Sequence, residues 1–275
     1  MIYPRISSLI LVPIFWVLSL SSSLAHEFWI EPLSYKVALG ENIQANLKNG
    51  QDFKGTTYSY VNEIFTRFEM VNKAGTEPVK GRRGDRPALN VVTKQKGLHV
   101  PVYASTMQWV RYNKFEKFEA FIRSKKMDWV LAVHEERGFP TEKIMETYYR
   151  YAKSLIAVGT GAGQDRFLGQ PIEIVALTNP FTSDLSNGVD VQVFLGGEPY
   201  AQTDVQIYHY VEGSTDAVED RVTTDSQGRV TIPAFEGGPF LINAMHIRDP
   251  RPEGIKKGSH WESIWATLTY ELPAD

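Results

Sequence analysis

The residues of this chain that are best suited to chemistry are its six histidines, because it contains no cysteine. Without cysteine, thiol catalysis, disulfides, iron–sulfur clusters and thiolate metal sites are excluded, and a metal site must use imidazole, carboxylate, backbone or amino-terminal ligands. No two histidines have the HxH, HxxxH or HExxH spacing that puts both rings on one face of a strand or helix. A histidine site must therefore be assembled from separate elements. The histidines are His26, His99, His134, His209, His246 and His260.

His26 directly follows a segment with the pattern of a secretory signal peptide. Arg5 provides the positive start, an apolar stretch follows it, and Ser23 and Ala25 supply the small side chains of a cleavage site. The pattern predicts that residues 1–25 are removed and that the protein is exported to the periplasm; a retained N-terminal anchor is the alternative. Cleavage after Ala25 would leave the α-amine and imidazole of His26 able to chelate one metal ion. Such nitrogen ligands suit copper, nickel, cobalt and zinc.

Two further histidines have surroundings that fit either a ligand or a structural role. His99 lies in an apolar strand pattern, where a buried and hydrogen-bonded imidazole is the alternative to a metal ligand. His134 precedes two glutamates and a Gly-Phe-Pro break, so carboxylates stand beside it at a predicted helix end; a solvated helix end is the alternative. His209 alternates within a strand pattern and is predicted to lie on a sheet surface.

The composition excludes several classes of protein. Hydrophobic residues make up 43% of the 275 residues and charged residues 22%, which excludes a disordered, collagen-like or coiled-coil chain. The net charge is −3 and there is no long basic run, so nucleic acid is not an expected partner. There is no GxSxG motif, so serine catalysis has little support and we do not expect an enzyme. The length predicts one large or two modest domains.

The first part of the mature chain has the period of β-strands and then changes to that of helices. The N-terminal domain is predicted over residues 26–158 as a β-sandwich with helices at about 113–157. The last of these helices is expected to begin at Thr141, its N-cap, and to reach Ile156. A hairpin is expected between the second and third strands. The predicted strands are 28–32, 35–39, 43–47, 64–71 and 97–104.

The last part of the chain is predicted to be β again. The glycine-rich run at 159–164 resembles half of a nucleotide-binding loop, but it follows a predicted helix rather than a strand, so we interpret residues 159–169 as a linker. Residues 170–275 are predicted to form an immunoglobulin- or transthyretin-like sandwich, because short strands alternate with turn signals. The fold class is therefore mainly β. The predicted strands are 171–177, 189–195, 205–211, 217–224, 229–233, 239–247 and 264–272.

Short motifs in a fixed order along the chain carry a family resemblance. They are residues 25–32, 97–100, 115–121, 134–140, 146–155, 169–176, 179–181, 224–229 and 265–270. Together they resemble the domain-of-unknown-function family described as the periplasmic component of cobalt/nickel ABC-type uptake systems. The resemblance spans nearly all of the mature chain and implies an exported, two-part, β-rich protein that handles nickel or cobalt with inner-membrane transporter components.

The same resemblance implies a set of metal ligands. The family motifs match here at His26, His99 and His134. His246 takes the place near the end of the penultimate strand where the family often has a histidine. These four residues are the ligands that the resemblance implies, for nickel or cobalt, with copper and zinc fitting the same ligand types.

Our prediction is a periplasmic transition-metal-binding protein that assists nickel or cobalt uptake. Two alternatives stay open. An N-terminal histidine with a second histidine on a β-sandwich is also the copper brace of oxidative enzymes that act on polysaccharides. A pair of β-sandwiches can equally be a metal-free module that recognises carbohydrate or protein.

Overall fold

A computed structural model describes residues 26–211, 213–234 and 237–272, so the predicted signal peptide lies outside the described residues. The described chain is mainly β. Its helices are α1 (Phe115–Ser124), α2 (Trp129–Glu136), α3 (Pro252–Lys256) and a 3₁₀ turn at Asn62–Ile64. Its strands are β1 (Glu27–Pro32), β2 (Lys36–Val37), β3 (Asn42–Gln51), β4 (Lys54–Tyr58), β5 (Phe65–Asn72), β6 (Gly75–Pro78), β7 (Leu89–Val92), β8 (Gly97–Ser105), β9 (Gln108–Tyr112), β10 (Ile144–Ser154), β11 (Ile156–Val158), β12 (Ile172–Ala176), β13 (Val189–Leu195), β14 (Glu198–Pro199), β15 (Asp204–Tyr210), β16 (Ala217–Thr223), β17 (Arg229–Ile232), β18 (Gly238–Arg248) and β19 (Trp261–Leu272).

The strands of the described residues form one large sheet and two small ones. The large sheet has 11 strands, with the main order β16-β15-β18-β19-β10-β8-β11-β2. Strands β5 and β9 join it beside β8 and β10, and β6 pairs with β5. The first small sheet has the order β1-β3-β4, with β7 beside β3. The second has the order β12-β13-β14, with β17 beside β13.

The two small sheets cover opposite faces of the large sheet. Side chains alternate between the faces of a strand, and the core contacts follow this alternation. On β8, Tyr103 packs with the first small sheet, whereas Val100 and Val102 pack with the second. On β10, Ala152 packs with the first small sheet and Tyr151 with the second. The large sheet is therefore the shared middle layer of two sandwiches, which is why β8 and most of β19 are buried along their length.

These observations confirm the predicted fold class: a mainly β chain with sandwiches and a helical insertion. All seven strands predicted in the last part of the chain are present, with boundaries that differ by up to three residues. Strand β10 pairs in parallel with β19, so the sandwiches share a sheet across the predicted linker. The division into domains at residues 159–169 stays a prediction.

The helix predicted from Thr141 to Ile156 is wrong, because this segment forms β10 and β11. Strand β10 lies between β19 on one side and β8 and β9 on the other, and it is buried on both faces. Burial on both faces removes the polar–apolar alternation that reveals a strand. The β-branched and aromatic side chains of Thr147, Tyr148 and Tyr149 favour the extended conformation. Helices therefore occupy only α1 and α2 of the predicted range 113–157.

The predicted hairpin between residues 35–39 and 43–47 is also wrong. Strand β2 pairs in parallel with β11 of the large sheet. Strand β3 pairs with β1, β4 and β7 of the first small sheet. The turn between them thus carries the chain from one layer to another.

Helices α1 and α2 pack on the large sheet beside the first small sheet. Phe118, Phe121 and Ile122 of α1 contact a cluster that includes Trp261 and Trp265 of β19. This packing places the end of α1 next to the beginning of β1. Within the described ranges, no helix has the length and apolar character needed to cross a membrane.

Candidate functional site

His26 lies immediately before β1, at the end of the first small sheet where Glu27 pairs with Gly50. The backbone carbonyl of His26 accepts a hydrogen bond of 3.0 Å from Nη2 of Arg150, which ties this end of β1 to the large sheet. The imidazole Nδ1 of His26 is buried and has no hydrogen-bond partner in the described residues. An unprotonated Nδ1 in that position has a free lone pair, so it can bind a metal ion.

Next to His26, Glu27 belongs to a buried polar cluster, the Glu27 network, which we define as Glu27, Lys125, Gln206, Tyr208 and Asn243. One carboxylate oxygen of Glu27 accepts hydrogen bonds from Lys125 Nζ at 2.7 Å and from the Tyr208 hydroxyl at 3.3 Å. Lys125 Nζ also donates to Gln206 Oε1 at 2.7 Å, and Asn243 Nδ2 donates to the same oxygen. A buried ion pair of this kind is tolerated because further hydrogen bonds satisfy it.

The Glu27 network draws its members from three layers of the fold. Glu27 comes from β1, Lys125 from the C-terminal end of α1, and Gln206 and Tyr208 from one face of β15. The second oxygen of Glu27, Oε2, is buried without a hydrogen-bond partner among residues that the structure describes. The network therefore fixes the position of β1 and, with it, that of His26.

A small polar cavity of about 70 Å³ adjoins the Glu27 network. Asp52, at the turn after β3, contributes a carboxylate that forms no ion pair with the described residues. Partial burial is the main cause that raises the pKa of Asp52, and the charges of Glu27 and Glu219 raise it further. The charges of Lys125 and His26 act in the opposite direction. Asp52 is thus close enough to His26 to interact with its charge. The cavity is lined by Glu27, Gln51, Asp52, Phe121, Ser124, Lys125, Gln206, Tyr208, Glu219 and Arg221.

His134 has a structural position in α2. Its Nδ1 accepts a hydrogen bond of 3.0 Å from the Trp261 indole N–H, and its Nε2 donates to the carbonyl of Pro140 at 3.0 Å. The pKa of His134 is lowered, and burial is the largest cause of this decrease. Both ring nitrogens are therefore occupied, and the adjacent Glu135 and Glu136 are exposed rather than directed to the ring's buried surroundings.

His99 and His246 lie on two different strands of the large sheet. His99 of β8 is buried, and its Nδ1 lies 3.2 Å from the carbonyl oxygen of Gly97. His246 of β18 has its Nδ1 2.8 Å from the hydroxyl of Tyr200. Burial lowers the pKa of both imidazoles, and for His246 the charge of Arg248 adds to this effect.

The prediction that His209 lies on the surface of a sheet is wrong. It is buried on β15, where its Nε2 lies 2.9 Å from a carboxylate oxygen of Asp220 and its ring stacks on Phe240. The neighbouring strands β16 and β18 and the side chains on them cover this position, which the alternation of β15 alone does not reveal.

The structure does not bring the four predicted histidine ligands together. Across residues 26–211, 213–234 and 237–272, no group of three or more His, Cys, Asp or Glu side chains is placed to hold a metal ion. His99, His134 and His246 each have a hydrogen-bond partner at a different place in the fold. Of the four, His26 is the residue with a buried, unpaired ring nitrogen in the described chain. A site that includes the α-amine of a cleaved chain remains compatible with this arrangement.

Arg150 is a residue that the sequence reasoning missed. Its guanidinium lies 4.6 Å from the ring centre of Tyr148 and 5.9 Å from that of Phe28, beside a cavity of about 130 Å³. Its sequence position does indicate a special role, because Arg150 is the single charged residue within the aromatic run at 148–151, and charged residues are rarely buried without a partner. Lys125, at the end of a helix among other charged residues, had no such signal.

Comparison with known proteins identifies the family. The model of the family described as Domain of unknown function (DUF4198) matches residues 23–248, so the chain belongs to this family. No curated protein and no solved structure shows a significant match to the chain.

Proposed function

We propose that this member of the DUF4198 family is an exported periplasmic protein that binds a divalent transition metal at His26 and assists nickel or cobalt uptake together with inner-membrane components. The observation that carries the proposal is the buried, unpaired Nδ1 of His26, directly after the predicted cleavage site. The resemblance described above supports nickel or cobalt as the cargo.

The donor atoms for the metal come from the residue before β1 and from the turn after β3. After cleavage, the α-amine and Nδ1 of His26 form a chelating pair, and the carboxylate of Asp52 is the oxygen donor that interacts with the charge of His26. Nitrogen and oxygen donors of these types suit nickel, cobalt, copper and zinc. Imidazole and amine must be unprotonated to bind the metal, so affinity should fall in acid.

The structure also supports a narrower ligand set than the sequence implied. His134 would have to give up its hydrogen bonds with Trp261 or Pro140 to bind a metal. Metal binding is therefore expected to depend on His26 and to be insensitive to His99, His134 and His246.

Native mass spectrometry tests the proposal. The protein is purified from the periplasm without an N-terminal tag, incubated with nickel, cobalt, copper or zinc, and weighed. A chain that begins at His26 and carries one metal ion is the expected result. A correctly cleaved chain that stays metal-free with every metal would refute metal binding and favour the recognition module.

Two variants and a control locate the site. His26→Ala removes the imidazole, and one alanine inserted between Ala25 and His26 moves the amine away while keeping the ring. Both should lower the affinity for nickel by at least about tenfold, because each removes one of the chelating donors. His246→Gln serves as the control and should bind nickel as the wild type does. Equal binding by all four proteins would place the metal elsewhere.

A further inference from the structure

The side chain of Arg150 carries a buried N–H group that has no acceptor among the described residues. In the part of the chain that the structure describes, Arg150 forms no ion pair, and its Nε is buried without a hydrogen-bond acceptor. Its guanidinium donates a hydrogen bond from Nη2 to the carbonyl of His26 and lies over the faces of the Tyr148 and Phe28 rings. A buried N–H without an acceptor is costly, and an anionic ligand would supply the acceptor.

A cavity stands next to this guanidinium, and we call it the Arg150 pocket. Its volume is about 130 Å³. Aromatic rings form much of its wall, so it suits a ligand with a flat, apolar body. Its lining residues are Phe28, Asn49, Tyr58, Ile64, Tyr103, Ser105, Gln108, Tyr148 and Arg150.

The Arg150 pocket also holds an unsatisfied acceptor. Oδ1 of Asn49 is buried and has no hydrogen-bond partner within the described ranges. The amide nitrogen of Asn49 is directed to the Tyr58 hydroxyl, 3.5 Å away. Arg150 and Asn49, the two residues that carry these unpaired atoms, both line the pocket.

We infer that the Arg150 pocket binds a small organic carboxylate that has a flat apolar body and a hydrogen-bond donor. The carboxylate accepts from Arg150 Nε, the body lies among the aromatic rings, and a hydroxyl or amine of the ligand donates to Asn49 Oδ1. A single cation and aromatic walls favour a monoanionic carboxylate over a multiply charged phosphate. The inference goes beyond metal binding and does not require it.

The pocket and the proposed metal site meet at His26, whose carbonyl accepts from Arg150. The carboxylate can therefore come from two sources. It is a free organic acid, or it belongs to a molecule that chelates the metal and enters with it.

Titration calorimetry of the untagged mature protein tests the carboxylate with 4-hydroxybenzoate as the probe. The matched neutral probe is 4-hydroxybenzamide, which keeps the ring and hydroxyl but has no charge. We expect 4-hydroxybenzoate to bind at least about tenfold more tightly, because charge-assisted hydrogen bonds are the stronger ones. Equal affinity for the two probes, or no binding of either, would overturn the inference.

Variants assign the binding to the pocket. Arg150→Gln should abolish binding of 4-hydroxybenzoate, and Arg111→Gln, at an exposed arginine of β9, should leave it unchanged. Since Arg150→Gln also removes the contact with His26, Asn49→Asp provides a second test that keeps the side-chain size. The added negative charge should weaken binding by at least about tenfold without lowering the melting temperature. Unchanged affinity in a folded Asn49→Asp protein would contradict the assignment.

A second probe separates the two sources. Pyridine-2-carboxylate carries its carboxylate on a flat ring and chelates nickel. If nickel raises its affinity in wild type but not in His26→Ala, the carboxylate enters with the metal; if nickel has no effect, it enters alone. Nickel binding without any carboxylate binding would refute this inference and leave the metal site intact. Carboxylate binding without nickel binding would support this inference and refute the proposed metal site.

Discussion

Glu146 offers a direct test of how burial controls ionisation in this fold. It lies on β10 with no exposed surface and accepts hydrogen bonds from the Tyr112 hydroxyl at 2.8 Å and from the Ser263 hydroxyl. Burial raises the pKa of Glu146 from 4.5 to about 7, while both hydrogen bonds and the charge of Arg150 limit the rise. The change we propose is Glu146→Gln, which keeps the size and removes the titration.

The magnitude follows from linkage between protonation and folding. The folded state holds its proton to a higher pH than the unfolded state, so this group favours the folded state below pH 4.5. The contribution is lost progressively as pH rises from 4.5 to about 7. At about 1.36 kcal/mol for each pKa unit, the loss amounts to about 3 kcal/mol in the free energy of unfolding.

Urea unfolding of wild type and Glu146→Gln, measured from pH 4.5 to 8, checks this value. The difference between the two proteins cancels the titration of other groups, and wild type should lose about 3 kcal/mol relative to the variant across the range. Glu135→Gln, at an exposed carboxylate of α2, is the control and should show no such trend. A difference between wild type and Glu146→Gln that does not change with pH would refute the reasoning.

Three other changes have defined outcomes. Lys125→Met leaves the Glu27 carboxylate buried without its cationic partner and should lower the free energy of unfolding in urea by about 3–5 kcal/mol. The double variant with Glu27→Gln should lose less stability than the two single variants together, and strict additivity would contradict the buried pair. His134→Gln should lower stability by about 1–3 kcal/mol at pH 8 and leave nickel affinity unchanged. Because burial lowers the pKa of His134, the folded state resists its protonation, so the penalty should shrink as pH falls below 6.5; a penalty that grows in acid would be inconsistent. Gly161→Ala would bring a Cβ within 2.6 Å of a neighbouring alanine, at a φ of +70°. It should lower the melting temperature more than Gly40→Ala, because φ at Gly40 is also positive, at +92°, but the space around it is open. Equal decreases in melting temperature would mean that backbone strain alone decides the effect.

The buried polar groups of this protein form connected sets rather than isolated pairs. The Trp265 indole N–H donates to the Ser263 hydroxyl that holds Glu146, and the same ring lies 4.8 Å below Lys125 Nζ. One tryptophan thus separates the Glu146 carboxyl from the Glu27 network. Such networks stabilise a fold only when their members are satisfied, which gives the unpaired atoms near His26 and Arg150 their significance.

Local pattern predicted the strands of the last part of the chain well. Strands such as β13 and β17 have one buried and one more exposed face, so the alternation of side chains is visible in the sequence. The turn at 225–228 is equally local, since Asp225 accepts hydrogen bonds from its own neighbours Gln227 and Arg229. The same reasoning failed for β10, because a strand buried on both faces has no alternation to detect.

The sequence by itself determined the mainly β class, and it predicts an export signal that ends directly before His26, because each of these depends on neighbouring residues. The roles of the other histidines depended on distant ones. His134 is occupied by Trp261, which lies 127 positions later in the chain, and Arg150 lines a pocket with residues of β1, β3 and β8. Only the tertiary structure decided which imidazoles are satisfied and which buried N–H of the described chain lacks an acceptor, because hydrogen bonding and desolvation are set by the groups that folding brings into contact.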